Sequence, residues 1–165
     1  MSFGIPDGEL YHNNPLSAGT VASPFEPTAV NTEHAGAEIA YGGAVNLKDG
    51  KAIPATNGQS FYGVALKRTS VHGFELTEEA IEGDRWKEGE TLGVLRDGTV
   101  FVPISEDVDR GESATVDANG TFKPAAANDV VVGIFTSSGN AGSTAELQTR
   151  VQFAAVTEPS QSKSE

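Results

Sequence analysis

The chain has 165 residues, a mass of 17.1 kDa and a formal net charge of -12, with 23 acidic and 11 basic residues. This length suits one globular domain, and the acidic balance argues against nucleic-acid binding, because a phosphate backbone would be repelled. Cysteine is absent, which excludes disulfides, thiolate metal sites and cysteine nucleophiles. No stretch resembles a signal peptide or a transmembrane helix, so we expect a protein made in a cytoplasm, with no membrane partner.

The first 37 residues contain four of the eight prolines and show no sustained strand or helix period. Large apolar side chains recur singly there, and the stretch is richer in aromatic residues than a disordered linker. This pattern favours an extended arm, residues 1–37, that places its side chains against a partner; a mobile tail is the alternative. The candidate anchors are Phe3, Ile5, Leu10, Tyr11, Leu16 and Phe25.

Three segments, residues 43–54, 89–103 and 111–124, share one pattern. In each, a Gly precedes a short apolar strand, an Asp-Gly or Asn-Gly pair follows, and a second short strand ends at a Pro. Such pairs favour type I′ hairpin turns, because both central residues need positive φ. The predicted turns are Asp49 with Gly50, Asp97 with Gly98, and Asn119 with Gly120.

The first and third segments agree further in the spacing of their glycines. Gly50 and Gly120 are each followed by another glycine thirteen residues later, with a proline at the fourth step. In both copies the later glycine lies within a short apolar strand. This repeat predicts a hairpin plus a returning strand, used twice in the chain.

The remaining strand signals lie at residues 61–66, 130–135 and 145–153. The last alternates apolar and polar residues, while the segment 130–135 is a continuous β-branched run that predicts a strand buried on both faces. Together with the hairpins they give eight or nine strands in one all-β domain, residues 38–156, built as a compact β-sandwich or small barrel. The polar tail, residues 157–165, is predicted to be disordered.

Signatures of chemistry are missing from the sequence. The three histidines are isolated from one another, and there is no phosphate-binding loop and no nucleophile elbow. The acidic segment 105–112 is more typical of a solvated linker than of a calcium site. We therefore predict no catalytic residue, metal or cofactor, although strands can bring two distant carboxylates together and a hydrolase stays an open alternative.

Three aromatic side chains, Trp86, Phe101 and Phe122, lie in or beside the second and third predicted hairpins. Residues of this kind usually belong to a core, and we expect them there. The alternative is a platform on which a ligand stacks.

The order of these segments resembles a known family over about residues 38–153. The segments IAYGGAVNL, FYGVALKRTSV, KEGETLGVLRDGTVFV, RGESATVDANGTF and VVVGIFTSSG, followed by AELQTRVQF, resemble those of tailed-bacteriophage capsid cement or decoration proteins, also called head-stabilising proteins. The motifs are strand and turn patterns and include no catalytic signature.

The resemblance implies a non-enzymatic virion protein on the exterior of the capsid. Its partner would be the major capsid protein, whose neighbouring subunits it would clamp, commonly as a homotrimer, and the six arm residues would contact the capsid. Deletion of residues 1–37 is then expected to leave a folded β domain that no longer binds capsids. The alternative function is a carbohydrate- or cell-surface-binding β module, such as a head fibre or an adhesin-like accessory protein, which would depend on Trp86.

Overall fold

The computed structural model describes residues 18–23, 25–57, 60–68 and 85–151. Their regular structure consists of eleven β-strands: β1 (Ala29–His34), β2 (Ile39–Ala40), β3 (Ala44–Lys48), β4 (Lys51–Pro54), β5 (Gly63–Ala65), β6 (Arg85–Trp86), β7 (Thr91–Pro103), β8 (Ser113–Val116), β9 (Phe122–Pro124), β10 (Gly133–Phe135) and β11 (Thr144–Thr149). Within these residues no helix is long and apolar enough to cross a membrane.

Nine of the strands form one antiparallel sheet in the order β4-β3-β5-β7-β11-β10-β8-β9, and β1 also pairs with β7. Strands β2 and β6 form a separate two-stranded sheet. The large sheet curls into a half-barrel, so the predicted all-β class is confirmed.

Strand β7 is continuous through Asp97 and Gly98, so the predicted turn at this pair is wrong. The first half of β7 pairs with β1 and β5, and the second half pairs with β11. Pairing with strands distant in sequence therefore outweighs the local turn preference of the Asp-Gly pair. Gly98 instead makes room for Thr28, whose Cγ2 lies 2.9 Å from the place where a Cβ on Gly98 would stand.

The other two predicted turns connect strand pairs, but in different ways. Asp49 and Gly50 form a two-residue turn between β3 and β4, with φ values of 52° and 74°, which is the geometry predicted for this pair. Asn119 and Gly120 lie in a longer connection, residues 117–121, between β8 and β9, and of the two only Gly120 has a positive φ, 80°. The type I′ prediction is therefore wrong there.

The predicted repeat of a hairpin and a returning strand is confirmed. Strand β3 lies between its hairpin partner β4 and the returning strand β5, and β8 lies in the same way between β9 and β10. A Cβ on Gly63 of β5 would stand 2.4 Å from the carbonyl oxygen of Leu95, and one on Gly133 of β10 would stand 2.5 Å from that of Gln148. Both returning strands thus need glycine for the same close approach to the next strand.

The equivalence extends beyond the hairpins. Ala35 donates its backbone N–H to the carbonyl of Glu90 at 2.8 Å, and Ile104 donates in the same way to Ser143 at 3.0 Å. Strand β1 pairs with the first half of β7 as the second half of β7 pairs with β11. The fold is therefore a tandem duplication, which we divide into a first repeat, residues 29–97, and a second repeat, residues 98–149.

Two clusters of buried side chains fill the fold. One lies within the first repeat: Ala35, Ile39, Tyr41, Val45, Ala52, Ala65, Trp86, Leu92 and Val94. The other combines the second repeat with part of the first: Ala44, Ala55, Val64, Leu95, Val100, Val102, Ile104, Val108, Ala114, Val116, Phe122, Val132, Phe135, Ala145 and Leu147. Trp86, Phe101 and Phe122 are all buried, as expected for core residues.

The sheet begins earlier than residue 38, so the predicted arm boundary at residue 37 needs correction. Strand β1 lies inside the segment assigned to the arm, and residues 19–22 bond to the edge of β7. Strand β1 was missed because five of its six residues are exposed, which removes the apolar alternation that marks a half-buried strand. Residues 1–17 and the tail 157–165 lie outside the described residues.

Two other strand predictions change in detail. Of the segment 130–135 only β10 is strand, and Val130, Val131 and Ile134 are exposed, so burial on both faces is wrong. Strand β11 begins at Thr144, one residue before the predicted segment 145–153, and ends at Thr149.

Candidate functional site

The surface of the described residues carries five exposed large apolar side chains. Phe25 is 94% exposed, and the others, between 43% and 57% exposed, are Val30, Val130, Val131 and Ile134. Single exposed apolar residues are ordinary, but an almost fully exposed phenylalanine at a fixed position is a contact candidate. We call Phe25, Val130, Val131 and Ile134 the exposed apolar set.

Glu26 fixes the backbone beside Phe25 onto the sheet. Its carboxylate accepts hydrogen bonds from Thr99 Oγ1 at 2.7 Å, from Gln148 Nε2 at 3.0 Å and from the Arg150 guanidinium at 3.0 Å. Hydrogen bonds from Thr99 and Arg150 hold the pKa of Glu26 below its ordinary value. Arg150 also pairs with Asp97 at 2.9 Å. The side chains around the Glu26 carboxylate are therefore Thr99, Gln148, Arg150 and, through Arg150, Asp97.

Ile134 lies on the same face of the sheet as the Glu26 attachment. Ile134 of β10 stands directly opposite Gln148 of β11, and Gln148 stands opposite Thr99 of β7. Directly opposite residues in an antiparallel sheet point to the same side. Ile134 therefore lies on the face of the sheet to which Glu26, the chain neighbour of Phe25, is bound.

Val130 and Val131 are exposed, although hydrogen bonds hold the backbone at Val130 and at the following Val132. Thr115 Oγ1 donates to the carbonyl of Val130 at 2.9 Å, and Thr149 Oγ1 donates to the carbonyl of Val132 at 2.9 Å. The turn before them contains Asn128, whose φ is 72°.

The structure places the predicted site residues as follows. Phe25 is described and exposed, whereas Phe3, Ile5, Leu10, Tyr11 and Leu16 lie outside the described residues. The predicted turn residues lie at the hairpin between β3 and β4, inside β7, and in the connection between β8 and β9. Sequence reasoning missed Val130, Val131 and Ile134, because it assigned them to a buried strand.

Among the described residues, no ligand-stacking platform forms around Trp86. Its indole N–H donates to the carbonyl of Leu66 at 2.8 Å, and the Arg68 guanidinium covers the ring at 4.5 Å from its centre. Arg68 is held in turn by Glu90 at 2.7 Å. The aromatic platform on which the carbohydrate-binding alternative depended is thus a packed and covered core edge. Among the described residues, no three His, Asp or Glu side chains gather as metal ligands.

The fold and the family of the chain follow from comparisons with known proteins. No curated protein is similar to it in sequence. The head fiber gp8.5 N base of bacteriophage phi29 has a similar fold, with a TM-score of 0.51 and 15% identity, covering 77% of this chain and all of that one. The family model of the structural cement protein (E217 gp24/Pam3 gp6) matches residues 10–150, and the chain therefore belongs to the phage structural cement protein family.

Proposed function

We propose that this protein binds the outer surface of a bacteriophage capsid as a homotrimer and stabilises it by clamping neighbouring copies of the major capsid protein, without catalysing a reaction. Family membership makes it a structural protein of the phage capsid. The observation that carries the proposal is the exposed apolar set on an otherwise strongly acidic protein, with Ile134 in β10, Val130 and Val131 just before it, and Phe25 beside the attachment of Glu26 to the sheet.

Phe25 is the proposed anchor within that set. Burying a phenylalanine side chain contributes roughly 1.5–3 kcal/mol of transfer free energy. Because Glu26 already fixes the neighbouring backbone, Phe25 loses little backbone freedom when it docks. Ile134, on the same face as the Glu26 attachment, would widen the apolar contact.

The anchor is tested with Phe25→Ala in sedimentation with capsids that lack this protein. We expect weaker capsid binding and an unchanged thermal midpoint, because Phe25 makes almost no contact in the free protein. Glu88→Ala, another exposed position, is the control and should bind normally. Equal binding by the two variants would contradict the role of Phe25.

The arm is tested by a shorter deletion than the sequence suggested. Removal of residues 1–17 leaves every strand of the sheet in place, whereas removal of residues 1–37 also takes away β1 and the residues that bond to β7. If residues 1–17 contact the capsid, their deletion weakens binding without unfolding the protein. Full binding by this truncation would restrict the contact to the folded part.

The clamp and the homotrimer need separate measurements. The mass of the purified protein in solution gives its oligomeric state. Cryo-microscopy of decorated particles, with a comparison of their survival on heating with that of bare particles, locates the protein and measures stabilisation. No density on the exterior of the shell, or equal survival, would refute the proposed function.

A further inference from the structure

Several edges of the large sheet are covered by other parts of the described chain. Ala52 of β4 forms a bridge with Ala35, and β4 begins with Lys51 and ends with Pro54. At the other end of the sheet, β9 is closed in the same manner, by a bridge between Phe122 and Ile104 and by Lys123 and Pro124. Lysine and proline at an edge both discourage the addition of a further strand.

The second half of β7 is closed by residues 19–22. Gly19 donates to the carbonyl of Phe101 at 2.8 Å, Phe101 donates to the carbonyl of Thr20 at 2.9 Å, and Ala22 donates to the carbonyl of Thr99 at 2.8 Å. This half-strand is the second repeat's equivalent of β1. In the second repeat, a segment of the chain therefore covers the edge that corresponds to the outer edge of β1.

In the large sheet, the outer edge of strand β1 is not covered by the described residues. The backbone N–H of Leu66 donates to the carbonyl of Gly93 at 2.9 Å, so the backbone groups of Gly93 face β5 and not β1. Thr32 stands opposite Gly93, and its own N–H and C=O must therefore point away from β7. Alternation along the strand gives Val30 the same outward direction.

Among the described residues, no backbone group covers these outward groups. Val30 and Thr32 are exposed, and no backbone group of the described residues bonds to their outward side. The six residues Ala29–His34 include neither lysine nor proline. An exposed edge of this length is a template for strand addition.

We propose that β1 docks against β1 of a second copy of this protein, antiparallel across a two-fold axis that passes between the two Thr32 residues. The inference concerns the protein itself and does not depend on the proposed capsid role. A two-fold contact uses the same surface on both copies, which an open edge readily supplies.

This register is self-complementary along the regular part of β1. Thr32 meets the partner's Thr32, a favourable cross-strand pair, and Val30 meets the partner's His34 with all their outward backbone groups paired. Asn31 meets the partner's Glu33, so each carboxylate faces an amide. Moving the axis to Glu33 would instead place two carboxylates opposite each other.

A contact through one pair of strands buries little surface and is therefore weak between dilute copies. It strengthens when other attachments hold two copies close together, because the effective concentration rises. In the proposed homotrimer the contact would link one trimer to the next. A covalent trap is the suitable test for such a contact.

The chain has no cysteine, so a disulfide formed by a variant with one introduced cysteine reports contact between two copies at that position. Thr32→Cys places two thiols across the proposed axis, where the separation of paired Cα atoms is about 5.5 Å and permits a disulfide. The control is Ser113→Cys, which is also exposed but lies on β8, inside the sheet. Under mild oxidation we expect Thr32→Cys to form disulfide-linked dimers several times faster than the control. Equal rates would overturn the proposal.

The register has its own test in the Thr32→Cys background. Asn31→Asp places two pairs of carboxylates opposite each other and should slow dimer formation, more so at low salt. Asn31→Ser is the neutral control, since both changes remove the Asn31 donor to the Tyr62 hydroxyl. Thermal unfolding verifies that both variants fold. Equal rates for Asp and Ser would overturn the proposed register.

Discussion

Glu26 and Phe25 are neighbours in the chain, but Glu26 is hydrogen-bonded to the sheet and Phe25 is exposed. Glu26 turns inward and collects three hydrogen bonds from β7, β11 and Arg150, while Phe25 is almost completely exposed. From the sequence, Phe25 could be selected as an isolated apolar residue in a proline-rich segment. The role of Glu26 could not, because its partners Thr99 and Gln148 come from distant strands.

The Glu26 attachment should depend on pH. Because the pKa of Glu26 is lowered in the folded protein, its contribution to stability is complete above about pH 4.5 and is lost as pH falls through the lowered value. We expect Glu26→Gln to lower the thermal midpoint at neutral pH and to have less effect in acid. Midpoints of both proteins measured across this range would test it; a constant difference at every pH would contradict the assignment.

Asp117 organises the connection between β8 and β9. Its side chain accepts hydrogen bonds from Asn119 N at 2.8 Å, Thr121 N at 3.0 Å and Thr121 Oγ1 at 2.7 Å. Burial raises the pKa of Asp117, but these hydrogen bonds and one from Ser105 outweigh burial and lower it.

Replacement of Asp117 should therefore destabilise the fold. Asp117→Ala leaves two backbone N–H groups without their acceptor, and we expect a loss of about 1–3 kcal/mol in the free energy of unfolding. Asp117→Asn keeps one acceptor oxygen and should lose less. Urea unfolding at neutral pH compares them, and an equal loss would show that the acceptor is not what matters.

Strands and turns were predicted best from the sequence where their structure depends on residues that are close together in the chain. The turn at Asp49 and Gly50 follows from φ preferences, and the thirteen-residue glycine spacing located both returning strands. The pair at Asp97 and Gly98 has the same local signature, yet β7 runs through it because both of its halves find partners far away in the chain. Local preference cannot reveal such partners.

The two returning glycines give a matched prediction. Alanine at Gly63 or Gly133 would bring a Cβ to within 2.4 Å or 2.5 Å of a backbone carbonyl oxygen, which cannot move without breaking the sheet. Each change should cost about 1–3 kcal/mol or more. In Gly93→Ala the nearest atom is Val30 Cγ1 at 3.3 Å, so this control should lose less. Chemical denaturation of the three variants would measure the difference.

For the whole molecule, the duplication explains how the described residues form one unit without disulfides and, within those residues, from strands alone. Each repeat builds its own buried cluster, but Leu95, Val64, Ala44 and Ala55 of the first repeat pack into the cluster of the second. The repeats share both a strand and a core, so we expect one cooperative unfolding transition. Two resolved transitions in calorimetry would contradict this expectation.

The truncation of residues 1–17 and the truncation of residues 1–37 should differ in their effect on stability. The protein without residues 1–17 should keep the strand signal and thermal midpoint of the full chain, because the described sheet is intact. The protein without residues 1–37 exposes one side of β7 and removes the bonds from residues 19–22, and it should be strongly destabilised. Circular dichroism on heating distinguishes them, and equal midpoints would show that β1 contributes little to stability.

Strand β7 has a mechanical consequence. Its hydrogen bonds to β1, β5 and β11 run across the strand direction, so a force applied along β7 shears many bonds together and cannot open them one at a time. The thirteen-residue strand β7 begins in the first repeat and ends in the second. Tension in one repeat is therefore transmitted directly to the other. Such a geometry resists stretching most strongly along the axis of β7.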